Sequence, residues 1–74
     1  MKKSLIKTGH RYTDGRGNVR EVIAEGPEYV LYPGQFETDN LRYRVVKKFK
    51  GPYAVGSEHN STRTSFGLWA DSEV

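Results

Sequence analysis

Two segments of the chain combine arginine and lysine with tyrosine, the residue types that contact phosphates and stack on bases. The first runs from Arg11 to Arg20 and the second from Arg42 to Lys48. If the fold brings both segments to one face, they form a basic patch suited to DNA or RNA. The candidate phosphate contacts are Arg11, Arg16, Arg20, Arg42, Arg44, Lys47 and Lys48.

Charge alternates in blocks along the chain, and this pattern leaves a second interpretation open. Residues 1–20 hold six basic residues and one acidic residue, residues 21–39 hold five acidic residues, and residues 40–50 hold five basic residues. If these blocks form neighbouring strands, opposite charges pair across the sheet and contribute about 0.2–1 kcal/mol each. The net charge of +3 does not distinguish a ligand-binding patch from a self-paired sheet.

The tyrosines allow a third interpretation, an aromatic groove for a peptide. Tyr43 and Trp69 are predicted to lie in the core. We expect the tyrosines next to turns or strand ends to be exposed. An acidic segment beside a basic one also suits a protein partner. The candidate aromatic contacts are Tyr12, Tyr32 and Tyr53.

The residues for catalysis or metal binding are few. His10 and His59 are the only imidazoles, and the chain has no cysteine. His59 lies in a polar segment in which Ser57 or Ser61 could be a nucleophile and His59 its base. Neither this spacing nor that of the carboxylates is diagnostic of an active site or a metal site. We predict a protein that is not an enzyme and has no cofactor or metal.

Turn signals rich in glycine, proline, aspartate and asparagine recur along the chain and favour an all-β fold. Leu41 to Val45 shows the clearest alternation, with apolar and basic residues on opposite faces. The alternation breaks at Val46 to Phe49, which predicts a bulge or bend. The predicted strands are His10–Thr13, Val19–Ala24, Tyr29–Tyr32, Leu41–Val45 and Tyr53–Val55.

The tail has a different pattern. Phe66 and Trp69 are three residues apart, so one helical turn places both on one side. Thr64 or Ser65 is the expected N-cap, and Gly67 argues against a longer helix. Residues 71–74 are expected to fray.

These elements predict a single domain over residues 1–74, an all-β, small SH3-like five-stranded barrel with a short C-terminal helical or 3₁₀ turn. Its ordered core is expected at about residues 8–70. The chain resembles uncharacterised small bacterial and phage SH3-like barrel domains, and this resemblance implies a fold and no activity. The residues that carry it are Tyr12, Gly15, Val30-Leu31-Tyr32, Tyr43-Arg44 and Phe66.

No apolar run is long enough to cross a membrane, and the basic start lacks the apolar stretch of a signal peptide. We therefore expect a soluble cytoplasmic protein without a membrane partner. The favoured function is a non-catalytic, nucleic-acid-associated binding module. The alternative is a protein-binding module, such as a phage or prophage inhibitor or regulator of a host protein. Exposed edge strands would also allow a homodimer.

Overall fold

Five antiparallel strands form a single sheet in the computed structural model, which describes residues 1–74. The sheet order is β4-β3-β2-β1-β5. The predicted β-rich fold with five strands and one short helix is confirmed, whereas closure into a barrel is not, because β4 and β5 do not pair. In chain order the elements are a 3₁₀ turn Lys3–Leu5, β1 Arg11–Thr13, β2 Val19–Glu25, β3 Asn40–Lys47, β4 Glu58–Thr62, α1 Arg63–Trp69 and β5 Ser72–Glu73.

The pairing of β2 with β3 contains two irregularities. Val19 pairs with Lys47 and Arg20 with Val45, so Val46 has no partner on β2. The predicted break in alternation at Val46 is therefore confirmed as a bulge. A second extra residue, Ile23, lies on β2 itself. Bulges increase the local twist and bend of a sheet.

The core lies between the inner face of the sheet and α1. Phe66 is its centre, with the Tyr12 ring edge-on at 5.7 Å and the Tyr43 ring at 5.6 Å between centroids. The Trp69 ring also packs on Phe66, at 5.2 Å between centroids, which confirms that these two side chains share a side of the helix. The buried apolar residues are Ile6, Tyr12, Val22, Leu41, Tyr43, Val45, Phe66 and Ala70.

Helix α1 begins earlier than predicted. Thr62, not Thr64 or Ser65, is the N-cap, and its side chain accepts a hydrogen bond from the Ser65 backbone N–H at 3.1 Å. Thr62 ends β4 in an extended conformation, which is the backbone geometry that an N-cap needs. Helix α1 therefore follows β4 directly, without an intervening loop.

The helix is also longer than the single turn predicted on account of Gly67, because it spans the seven residues Arg63–Trp69. The N-terminal ammonium of Met1 donates to the carbonyls of Gly67 and Ala70, at 2.8 and 3.0 Å. A Cβ at position 67 would lie 2.8 Å from the Met1 carbonyl oxygen. The close approach of the N-terminal segment explains why a glycine is present here. The contacts of that segment offset the poor helix propensity of glycine.

Two predicted strands are loops, and one predicted loop is a strand. Tyr29–Tyr32 and Tyr53–Val55 have no strand pairing, whereas Glu58–Thr62 forms β4 against β3. An apolar run does not by itself provide a pairing partner, and Tyr29–Tyr32 lies between turn-forming residues on both sides. Strand β4 was not predicted because it is an edge strand of polar, partly exposed residues and has no alternation of apolar and polar side chains.

The ordered core is wider than residues 8–70. Ile6 is buried, and the expected fraying of residues 71–74 is wrong because β5 pairs with β1. The Asp71 backbone N–H donates to the Thr13 carbonyl and that of Val74 to the Arg11 carbonyl. Backbone pairing orders this tail without any apolar side chain in the strand, so its sequence shows no signal of it.

Candidate functional site

Three of the predicted phosphate contacts are ion-paired on the outer face of the sheet. Glu21 lies opposite Arg11 on β1 and opposite Arg44 on β3. Because directly opposed residues point to the same face, Glu21 contacts both guanidinium groups, at 2.8 and 3.3 Å. Arg42 contacts Glu58 at 3.1 Å. For these arginines, the interpretation of charge pairing across the sheet is correct.

Two ion-paired carboxyl groups have a lowered pKa, Glu21 on the outer face and Glu25 beside Arg63. The hydrogen bond from Arg11 holds the pKa of Glu21 below its usual value of 4.5. The hydrogen bond from Arg63 does the same for the pKa of Glu25. Both carboxylates therefore stay charged to lower pH in the folded chain than in the unfolded chain.

This difference predicts acid sensitivity. A folded-state pKa below 4.5 means that the folded protein binds fewer protons than the unfolded chain, so the stabilisation is complete above that pH. It is lost as the pH falls through the lowered pKa values. We expect the urea midpoint of unfolding to decrease from about pH 5 downward. The double variant E21Q/E25Q should show a shallower decrease, and an unchanged pH profile in this variant would contradict the assignment.

The remaining predicted basic residues converge on a different part of the surface. Two adjoining pockets, the larger of about 410 Å³, share Asn18, Arg20, Lys50 and Gly51. We call their combined surface the basic groove. It is lined by Asp14, Arg16, Asn18, Arg20, Val45, Lys47, Lys48, Phe49, Lys50, Gly51, Pro52, Tyr53 and Trp69.

The cations of the basic groove have no carboxylate partner, in contrast to those of the outer face. All six ion pairs of the structure involve Arg11, Arg42, Arg44, Arg63 or His10. The five groove cations are therefore left to an external anion or to water. They are Arg16, Arg20, Lys47, Lys48 and Lys50.

Arg20 links the groove to the core. It lies opposite Tyr12 on β1 and Val45 on β3, so its side chain starts on the inner face of the sheet. Its guanidinium carbon then lies 4.7 Å from the centroid of the Tyr43 ring and 4.2 Å from that of Trp69. Such cation–π contacts fix the plane of the guanidinium. No protein acceptor takes its N–H donors, which remain free for a ligand.

Asn18 holds the two walls of the groove together. Its side-chain oxygen accepts from the backbone N–H groups of Phe49 and Lys50, at 2.9 and 3.3 Å. Its amide nitrogen donates to Asp14 at 2.8 Å. Gly17 permits this close approach, because its φ is 92° and a Cβ there would lie 2.9 Å from the Phe49 Cβ.

Asp14 is the only acidic residue that lines the groove. Burial raises the pKa of its carboxyl group, but hydrogen bonds from the Asn18 side chain and from the backbone N–H groups of Arg16 and Asn18 outweigh this and lower it. The carboxylate therefore serves to close the turn. It reduces the positive charge of the groove without pairing with any of its cations.

The aromatic prediction is correct in one part and wrong in another. Tyr12 is completely buried, and its hydroxyl donates to the Leu5 carbonyl at 3.0 Å and accepts from the Lys7 N–H at 2.8 Å. Its expected exposure is wrong, because it packs under α1. Tyr53 is exposed in the groove, whereas Tyr32 is exposed on the loop between β2 and β3.

Two aromatic residues of the groove were missing from the predicted set. Phe49 is 75% exposed, and Trp69 lines the groove while also packing on the core. Lys50 was missing too. Phe49 and Lys50 directly follow the basic run that ends at Lys48, so their position in the sequence was an available signal. The role of Trp69 had no such signal, because its spacing from Phe66 indicates only packing.

The Ser57–His59 pair has a structural explanation. The two side chains are 2.9 Å apart, but the Ser57 hydroxyl donates to the Ala54 carbonyl. The serine proton is thus directed at the Ala54 carbonyl and not at the imidazole. The imidazole stacks on the Tyr53 ring at 3.8 Å between centroids. The pair thus stabilises the loop between β3 and β4 at the end of the groove.

No protein-family model, curated protein or solved structure matches this chain. No helix in the structure has both the length and the apolar character needed to span a membrane. No group of three or more histidine, aspartate and glutamate residues is arranged to hold a metal ion. The geometry of the surface is therefore the basis on which a function is inferred.

Proposed function

We propose that the protein is a non-catalytic binding module that holds single-stranded nucleic acid in the basic groove. The observation that carries this proposal is the separation of the cations into two sets. Arginines of the outer face are ion-paired with Glu21 and Glu58, whereas five cations without carboxylate partners surround one groove with exposed aromatic rings. We further propose that the fold is the SH3-like barrel of the resemblance, which the β4-β3-β2-β1-β5 order and the helix before β5 support.

The composition of the groove favours a single strand over a duplex. Lysine and arginine contact phosphates in either case. The Phe49 and Tyr53 rings can stack only on the faces of bases, and these faces are exposed only in unpaired strands. Arg20 adds a guanidinium whose plane is already fixed by Tyr43 and Trp69. A fixed donor loses little conformational entropy when it binds a phosphate or a base edge.

The test is fluorescence anisotropy with labelled oligo-dT, oligo-U and a duplex, each of about 15 nucleotides or base pairs. We expect the wild-type protein to bind single strands more tightly than the duplex. Affinity should fall with salt, and log K should change by about 0.7 per phosphate contact for each tenfold change in salt. Replacing three groove lysines, in the variant K47A/K48A/K50A, should weaken binding about 10- to 100-fold at low salt.

A charge-matched control separates the groove from general electrostatic attraction. The variant K2A/K3A/K7A loses the same three charges from the N-terminal segment and should bind almost as well as the wild type. Phe49→Ala should weaken single-strand binding about fivefold or more and leave duplex binding unchanged. The proposal is overturned by equal losses in the two lysine variants, or by no wild-type binding at about 20 mM salt.

A protein-binding module is the second candidate, and a different observation favours it. The loop between β2 and β3 exposes Leu31, Tyr32 and Phe36. Exposed apolar side chains on one loop indicate an interaction surface in a small domain. In this alternative the protein docks on another protein, such as a phage or prophage regulator on its host target. Binding that survives nuclease treatment and the K47A/K48A/K50A changes would favour it over the nucleic-acid proposal.

A further inference from the structure

The loop between β2 and β3, residues 26–39, presents apolar side chains to solvent. Phe36 is 100% exposed, and Leu31 and Tyr32 are more than half exposed. We call this segment the acidic loop, because it contains three acidic residues and no lysine or arginine. Leaving this much apolar surface in water costs free energy that a partner could recover.

Hydrogen bonds hold the acidic loop in one shape. Gln35 accepts from the Leu31 N–H at 2.9 Å and donates to Asn40 at 2.8 Å and to the Glu37 carbonyl at 2.9 Å. Asn60 on β4 donates to the Val30 carbonyl at 3.0 Å. The Asn40 side chain is buried under the loop and also donates to the Glu37 carbonyl. A loop ordered in this way loses little conformational entropy on docking.

The charge of the acidic loop restricts what can cover it. Asp39 is paired with Arg63 at 2.8 Å, but Glu28 and Glu37 have no cationic partner in the structure. Two acidic loops would repel each other, so a symmetric loop-to-loop contact is disfavoured. The occupant must be positively charged and must offer apolar surface to Leu31, Tyr32 and Phe36.

The basic groove of a second copy has both properties. It carries unpaired lysines and arginines together with the exposed Phe49 ring. We propose that the acidic loop of one copy docks in the basic groove of the next. The contact joins two different surfaces, so it builds chains of copies that lengthen with concentration. It covers the surface proposed above for nucleic acid, and a bound single strand would therefore dissociate the chains.

The self-association itself does not depend on the proposed function, because it needs no nucleic acid. Sedimentation velocity of the full chain should show a mean mass that rises above the 8.4 kDa of one copy between about 10 μM and about 1 mM protein. The increase should disappear at about 500 mM salt, because screening removes attraction between exposed charges. Phe36→Ser should weaken association at low salt about tenfold or more.

Charge exchange identifies the two surfaces. The loop variant E28K/E37K and the groove variant K48E/K50E should each stay monomeric, because each removes the attraction between the acidic loop and the basic groove. Mixed in equal amounts they should associate, since the unchanged acidic loop of the groove variant then meets the unchanged basic groove of the loop variant. The variant K2E/K3E, with the same charge change outside the groove, should associate like the wild type.

Three results would overturn the proposal: a monomer at every concentration, association that survives E28K/E37K, or a mixture that stays monomeric. Association that survives E28K/E37K would indicate pairing through the edge strands. The outcome of the oligonucleotide-binding measurements is independent of the outcome of these self-association measurements. Loss of nucleic-acid binding with intact self-association would reject the proposed function and leave this inference standing.

Discussion

Replacing Phe66 with alanine is expected to lower the free energy of unfolding by about 3–5 kcal/mol. Phe66 is almost completely buried, and its ring contacts those of Tyr12, Tyr43 and Trp69. The substitution removes apolar burial and three aromatic contacts. It also leaves a cavity that the surrounding strands cannot close, because they are held by the sheet.

The measurement is urea unfolding followed by circular dichroism. Leu68→Ala is the matched control, because Leu68 lies on the same helix but is 85% exposed, and its replacement should change the free energy by less than about 0.5 kcal/mol. A chain this short has about 3–5 kcal/mol of stability from its core, so Phe66→Ala is expected to be largely unfolded without denaturant. Phe66→Leu, which retains part of the burial, should fold with an intermediate loss. Equal midpoints for Phe66→Ala and Leu68→Ala would contradict this view of the core.

Replacing Arg63 with methionine is expected to cost about 2–3 kcal/mol. Its side chain is only 13% exposed, and it donates to Asp39 and Glu25 at 2.8 Å each and also to the Ile6 carbonyl. Arg63 thus ties the N-terminal segment, the end of β2 and the acidic loop to the start of α1. Methionine would fill the space but leave two carboxylates and a carbonyl without their donor. The expected loss of stability is small for the breaking of a buried ion pair, because both carboxylates are partly exposed.

Arg42→Met is the control for this substitution. Arg42 also pairs with a glutamate, but its own side chain is 34% exposed, so its loss should cost less than about 1 kcal/mol. Arg63→Met should also weaken the acid sensitivity of unfolding, because the hydrogen bond from Arg63 is the main cause of the lowered pKa of Glu25. Similar losses in the two variants would show that Arg63 acts as an ordinary surface cation.

The sequence predicted the parts of the fold in which side chains of one type recur at the period of the element. The alternation in Leu41–Val45 identified β3, and the interruption at Val46 identified the bulge. The spacing of Phe66 and Trp69 placed both on one side of the helix. Strands β4 and β5 could not be predicted in this way, because they are held by backbone pairing at the sheet edges and contain no apolar pattern.

For the candidate site, the sequence by itself determined that basic and acidic residues alternate in blocks and that aromatic residues lie near the basic ones. Only the tertiary structure decided which cations are paired. Strand register places Glu21 between Arg11 and Arg44, whereas Asn18 brings Arg16 and Arg20 together with the lysines after β3. A shift of one residue in register turns every following side chain to the other face. The bulges at Ile23 and Val46 set the register between β2 and β3. Which charged side chains face each other therefore depends on pairing across the sheet, and the order of residues alone does not specify it.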